Sequence, residues 1–316
     1  GNLYLLKHDL RWKETWDRAL ALSRELGEVR AEANILLAIG SAYGIDSLDL
    51  SKEYLQAALQ VSQKLDDKRT ELRLLSMLGE QFERNGDYYR WLSEYEQPRL
   101  EISRQIGDRI EEGFALMHCG QIKALYLGDY ENGLAEIEQA LRMTESLTSR
   151  LYPLLRLIQI QTELGRFDEA LANLELAGPI SEQTVNYIGR AGFSLVAAIL
   201  YNAIGGEKNS RQALEMTAQV YELVNNEKVS RQYAIGASCL SSLAHLKLAE
   251  LTQDEGLRQE FLRQALECSQ RAVDQYNQFG FVQIIECSSE EVLFRHSQAL
   301  AAHRRKVEAR EMVERS

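Results

Sequence analysis

Ala140-Leu141-Arg142-Met143-Thr144-Glu145-Ser146-Leu147 is one of six copies of the same eight-residue phrase. Upstream stand the stretches 19–26, 58–65 and 99–106; downstream stand 213–220 and 265–272. The starts at 19, 58, 99 and 140 lie 39, 41 and 41 residues apart. The step to 213 is 73, the length of two short repeats, and the last step is 52. Self-similarity at a period of roughly 20–50 residues is the mark of stacked supersecondary units. The second, fifth and eighth residues fall on one helical stripe, so a leucine, a hydroxyl and an aliphatic residue face the same neighbour. A serine or threonine there can bond back to a carbonyl of the preceding turn, so it enters a helix contact without an unpaired polar group. The phrase reports packing rather than chemistry.

Composition agrees with helix throughout. Three prolines and twenty glycines punctuate 316 residues dominated by strong helix formers. No segment alternates with period two between turn signals, so the predicted fold class is all-α, with about fourteen to sixteen helices by our count. The formal charge of −11 opposes nucleic acid and acidic membrane faces as partners. The basic run His303-Arg304-Arg305-Lys306 is followed by Glu308 and Glu311 and reads as a solvated helix face. Cys119, Cys239, Cys268 and Cys287 form no CxxC pair and are expected to stay reduced, which points to the cytoplasm. The longest apolar run, residues 193–204, is shorter than the ~20 residues a bilayer requires and reads as a buried helix. The chain opens on Gly1 and ends inside a helical pattern, so it is expected to be a fragment of a longer protein.

Taken in order, residues 1–7 read as the tail of a helix. Predicted helices then cover 10–26, 29–43, 48–65, 69–84, 89–106, 109–127, 131–147, 151–164 and 168–177, the last closed by Gly178-Pro179. Beyond it lie 182–204, 208–224, 229–251 and 256–279, and a final unit from Val282. Breaks at Gly27-Glu28, Asp66-Asp67 and Gly107-Asp108 place acidic residues at helix starts, where they cap free amides and meet the dipole. Pro98 falls mid-helix beside Trp91, and a local bend is expected over Trp91–Arg99.

At these turns the chain resembles a known family. Gly128-Asp129-Tyr130 followed by Gly133, Leu134, Ile137, Ala140 and Leu141 looks like the second helix of a tetratricopeptide repeat. Gly165-Arg166-Phe167-Asp168-Glu169-Ala170-Leu171, with Leu174 and Ala177, is a closer match. Leu78-Gly79, and Ile39-Gly40 with Tyr43, are similar to its first helix. The resemblance implies an α-solenoid, a right-handed superhelix of antiparallel helix pairs, with seven to eight repeats over 1–316 and the two terminal ones truncated. Ordinary repeats of this family run ~34 residues. The longer form here, which lacks the closing proline, resembles kinesin light chain and the sensor arms of bacterial signalling ATPases of the STAND class.

Motifs for chemistry are absent from the sequence. It contains no GxGxxG, no GxxxxGK[ST], no G-x-S-x-G and no HExxH, and the histidines at 8, 118, 245, 296 and 303 never gather the four ligands of structural zinc. The expectation is therefore no enzyme, no cofactor and no metal. The family resemblance places first helices along a concave groove, and with them Asn34, Ser41, Arg73, Glu80, Arg84, Phe114 and Gln121. In the second half it places Tyr152, Gln159, Glu163, Arg190, Tyr201, Tyr233 and His245 on the same side. The implied function is a scaffold for a protein or peptide partner, the sensor or regulatory arm of a bacterial signalling or transcription regulator. The alternative is a regulator that holds a small ligand or signal peptide inside the superhelix. Other domains of the same polypeptide are the remaining expected partners.

Overall fold

The computed structural model describes residues 11–44, 47–84, 86–144, 146–279 and 286–315. The expected helical tail at 1–7, Ile45-Asp46 of the first turn and the predicted start at Val282 lie outside them. The described residues are all-helical. The helices are α1 (Arg11–Glu25), α2 (Val29–Tyr43), α3 (Leu48–Lys64) and α4 (Lys68–Arg84). Helix α5 joins Tyr88–Arg90, a π-helical turn at Trp91–Glu96 and Gln97–Ile106; α6 is Arg109–Gln121 with a π-helical end at Ile122–Tyr126. Then follow α7 (Tyr130–Met143), α8 (Leu147–Glu163), α9 (Phe167–Gln183), α10 (Tyr187–Ile204) and α11 (Glu207–Asn225). The last four are α12 (Gln232–Leu251), α13 (Glu255–Phe279), α14 (Ser289–Ala302) and α15 (Lys306–Arg315). Within each of two units, each helix packs on the next. The sequence reading treats 1–316 as one array; packing divides it into two compact units, Gly1–Met143 and Thr144–Ser316.

The recurring phrase fixes how second helices end. The hydroxyls of Ser23, Ser62 and Ser103 donate to the carbonyls of Leu20, Leu59 and Leu100 at 2.8, 2.9 and 2.8 Å. The carbonyls of the same serines accept the N–H of Glu28, Asp67 and Asp108, five residues on, at 2.9, 3.0 and 2.9 Å. That reach-back is a Schellman turn, and it needs a left-handed residue just before the donor. Gly27 and Gly107 supply it at φ +68° and +71°; Asp66 adopts φ +52° without a glycine's freedom. Asp67 and Asp108 then cap the following helix by accepting from Thr70 N–H and Glu111 N–H, each at 3.2 Å.

The stripe that packs deepest differs from the predicted one. The first residue of the phrase, not the second, is wholly buried at Ala58, Ala140, Ala213 and Ala265. It shares a face with the hydroxyl four residues later, whereas the leucine at the second position is half-buried in most copies. A seventh copy, at 177–184, was hidden by its Gly-Pro pair. Helix α9 does not close there but runs on to Gln183, with Ala177 wholly buried and Ser181 Oγ donating to Gly178 O at 2.8 Å. Pro179 is exposed, so the carbonyl that lost its N–H partner can bond water, and Gly178 has no Cβ to clash with the proline ring. The step of 73 thus resolves into 37 and 36.

In the Gly1–Met143 unit the core is built from Leu36, Ile39, Leu55, Leu78, Leu116 and Ile137. Its tightest crossing joins α6 to α7. A Cβ on Gly120 would lie 2.6 Å from Gly133 O, and one on Gly133 would lie 2.6 Å from both Gly120 O and the Ala124 methyl. Where a bend is expected, a π turn precedes Pro98, which lies in the first turn of the α-helical part. Gln97 N–H bonds to Leu92 O, five residues back. The wider turn absorbs the missing donor and helical dihedrals continue on both sides, with φ −75°, ψ −38° at Glu96 and φ −64°, ψ −48° at Gln97.

In the Thr144–Ser316 unit the first helices of successive pairs, α8, α10, α12 and α14, touch in turn. One cluster joins Leu195, Ala198, Ala213, Val220, Ala237 and Leu240; another joins Ile235, Cys239, Ala272, Cys287, Val292 and Leu293. Helix α10 is long and apolar enough to qualify by composition as a membrane span, but ten of its residues are buried in this packing, which accounts for the apolarity. Three polar groups that enter the core are bonded across helices: Ser242 Oγ to Ala265 O at 2.8 Å, Asn202 Nδ2 to Leu240 O at 3.1 Å, and Ser241 Oγ to Thr217 Oγ1 at 2.8 Å. The four cysteines are free thiols, three of them buried.

Two alanine substitutions on α6 should move stability in opposite directions. Gly120→Ala forces the α6–α7 crossing apart and should cost about 1–3 kcal/mol. Gly113→Ala meets no atom within 4 Å and should gain about 0.5–1 kcal/mol from helix propensity. Urea unfolding followed by circular dichroism reads both, and equal effects would show that the crossing is not tight.

Candidate functional site

The predicted groove residues do not share one environment. In the first unit Asn34 on α2, and Arg73 and Glu80 on α4, are exposed. Ser41 is exposed as well, its hydroxyl bonded to Leu37 O at 2.8 Å and 3.9 Å from the Met77 sulfur. Phe114 is half-buried, and the Arg84 side chain lies outside the described residues. Gln121 is fully buried, with neither amide atom partnered among the described residues. It is therefore not a surface contact.

A charged cluster that the sequence reading missed lies where the π turn of α5 meets α6. Glu96 and Arg99 are 1 % and 4 % exposed. Glu96 Oε1 accepts from Trp91 Nε1 at 3.2 Å and lies 3.3 Å from His118 Nδ1; its other oxygen accepts from Arg99 Nη1 at 3.2 Å. Arg99 also grips Glu111 Oε2 at 2.7 Å. Burial pushes the Glu96 carboxyl up, but His118, Arg99 and the indole N–H together hold it below the ordinary carboxylate value. Around the cluster Tyr88 stacks on Tyr126 with ring centres 4.0 Å apart, and Trp91 packs against His118 and Tyr126. One sequence signal pointed here. Arg99 stands where other copies of the phrase carry alanine, and a guanidinium at that depth requires a buried counter-charge.

The second unit gathers three of the predicted residues around another ion pair. Arg156 on α8 and Glu286, just before α14, pair at 3.0 Å, both nearly inaccessible to solvent. Gln159 is buried and accepts from Arg156 Nη1, so its amide is used internally. Tyr152 Oη accepts from Asn186 Nδ2 at 2.8 Å, and Asn186 caps α10 through its carbonyl oxygen. Burial raises the phenols of Tyr152 and Tyr233, and the negative charge of Glu286 adds to the shift in both. Tyr201 packs on the α10–α12 cluster, and Arg190 lies 5.9 Å over the Tyr187 ring. His245 stacks on Phe261, burial lowering its pKa, while Glu163 is exposed at the end of α8.

These groups are paired with one another inside the helix packing. Ser269 Oγ lies 3.0 Å from His296 Nδ1, but both are buried and the hydroxyl also bonds Leu266 O at 3.1 Å. His303 Nε2 lies 2.8 Å from Leu262 O. No group of three or more His, Cys, Asp or Glu is poised to hold a metal among the described residues. No protein-family model matches the chain, and no curated protein matches it at a significant level.

The Glu96 cluster makes a pH prediction. A carboxyl whose folded pKa is depressed below its ordinary 4.5 contributes stability above that value and loses it as pH falls through the folded value. Glu96→Gln should cost about 3 kcal/mol at neutral pH, the low end for a broken buried pair because Arg99 keeps Glu111. Its thermal midpoint should also fall less than that of the unmodified chain between about pH 5 and pH 3. Parallel acid dependence in the two proteins would show that Glu96 does not carry this charge.

Proposed function

We propose that the chain is a binding scaffold of the tetratricopeptide-repeat kind, an α-solenoid that holds a protein or peptide partner along its first helices. In this reading it is the sensor or regulatory arm of a larger bacterial signalling or transcription regulator. The observation that carries the proposal is the repeated junction. Seven copies of one phrase put a small residue (arginine in one copy) and a hydroxyl four residues later into the helix contact, and the hydroxyls are satisfied within their own helix wherever a bond is described. Junctions of that kind stack helix pairs in register and leave the outer face of each first helix free to vary. Asn34, Ser41, Arg73 and Glu80 are the predicted groove residues that are exposed in the first unit. In the second unit Tyr152, Gln159 and Tyr233 surround an ion pair and are engaged with it or with each other, which favours a partner on an exposed face over a small ligand held inside.

Photo-crosslinking amino acids placed in vivo at Asn34, Arg73 and Glu80 should trap one partner. The same label at Gln60 or Glu101, exposed on second helices, should not. Arg73→Glu should weaken that capture while changing stability by only ~0–1 kcal/mol, as for other exposed charges. Adducts from Gln60 and Glu101 alone would move the site to the opposite face and overturn the proposal.

A further inference from the structure

The turns that lead from one helix pair to the next bring Arg30, Arg69, Arg109 and Ile110 to a shared depression of about 780 Å³ in the Gly1–Met143 unit. Its volume is in the range of ligand sites, roughly 300–1,000 Å³. The charges around it divide into two groups. Asp67 and Asp108 are used as helix caps. Lys68 is held by Asp66 and Glu71 at 3.2 and 3.0 Å. Outside the depression, Glu32, Glu111 and Glu112 in the first turns are bound by Arg24, Arg99 and Arg104 at 2.7, 2.7 and 2.9 Å. Arg30, Arg69 and Arg109 are exposed and make no hydrogen bond or ion pair among the described residues. The three acids that line the depression are therefore engaged and its three arginines are not; Glu28, in the turn before Arg30, makes no cap bond. Beside them Ile106 and Ile110 are exposed, Ile110 to 72 %.

We propose that this edge, at the N-terminal ends of the first helices, docks an acidic peptide segment of a partner protein. Carboxylates of the segment pair with Arg30, Arg69 and Arg109, and an apolar side chain covers Ile106 and Ile110. Arginine beside exposed apolar surface is the composition of binding hot spots. In a chain of net charge −11, three unpaired cations on one edge attract an anionic segment that the rest of the surface repels. A nucleic-acid backbone fits less well. The exposed isoleucines offer a phosphate nothing, whereas an apolar side chain of a peptide can cover them.

Fluorescence anisotropy with a fluorescein-labelled peptide of alternating glutamate and leucine tests the assignment. The unmodified chain should bind it, more weakly as salt is raised. Replacing Arg30, Arg69 and Arg109 together with alanine should weaken binding at least about tenfold, or 1.4 kcal/mol. The single variants Arg69→Glu and Ile110→Ser should each weaken it measurably, and circular dichroism should be unchanged in all. Glu80→Gln, on the first-helix face about three turns beyond Arg69, should leave peptide binding intact, so failure here is distinguishable from failure of the scaffold reading. The proposal is overturned by no binding to the unmodified chain, by equal binding of a lysine–leucine peptide or of the triple variant, by loss of binding in Glu80→Gln, or by stronger binding of an oligouridylate than of the acidic peptide.

Discussion

The structure depends on a close helix contact that contains a hydroxyl. A small residue at the head of each phrase lets the neighbouring helix approach, and one turn later a serine or threonine enters the same contact. A buried hydroxyl left unbonded costs about 1–3 kcal/mol. Here it donates to the carbonyl three residues earlier, so its polarity is cancelled inside its own helix. The contact then behaves as an apolar one and asks nothing of its partner. In three copies the serine's carbonyl also receives the bond that closes the helix, tying the helix end to the depth of the contact.

Where the phrase departs from this rule, the surroundings change to match. Arg99 replaces the small residue, and the helix that carries it widens into a π turn that brings Glu96, Trp91 and His118 into reach. Many polar groups in the interior are thus silenced locally, as the serines are, bonded to a neighbouring helix, as Asn202 Nδ2 is, or joined into ionic sets. The second unit contains the same solution in Arg156 and Glu286, which meet across 130 positions of sequence. Such pairs add little net stability, but removing one partner is costly, so they constrain which residues can change alone.

Much of the architecture was legible because its signals are local. Gly27, Gly107 and Gly128 mark helix ends by the left-handed backbone they adopt, and Asp67 and Asp108 mark helix starts. Pro179 misled for a physical reason. Proline usually stops a helix, and only its exposed position, with Gly178 before it, allows α9 to continue. The surroundings of Gln159 were not legible, because they depend on Glu286, far along the chain. Gln121 looked like a groove residue by register alone, yet it is fully buried. Register predicts which way a side chain points, not what lies in front of it.

The substitution at Arg99 also makes one segment of the chain unable to trade places with the others. A junction that is neutral and satisfied within a single helix can be copied, moved or cut out without stranding a charge. The segment Tyr88–Ile106 cannot. Transplanted, it would bring a guanidinium whose outer partners, Glu111 and His118, belong to the next helix. Cutting out that next helix would leave Glu96 as its only acid. Arrays of like units are free to shuffle their order; this charged junction gives two successive helices a fixed address, and with it a fixed point from which the rest of the series is counted.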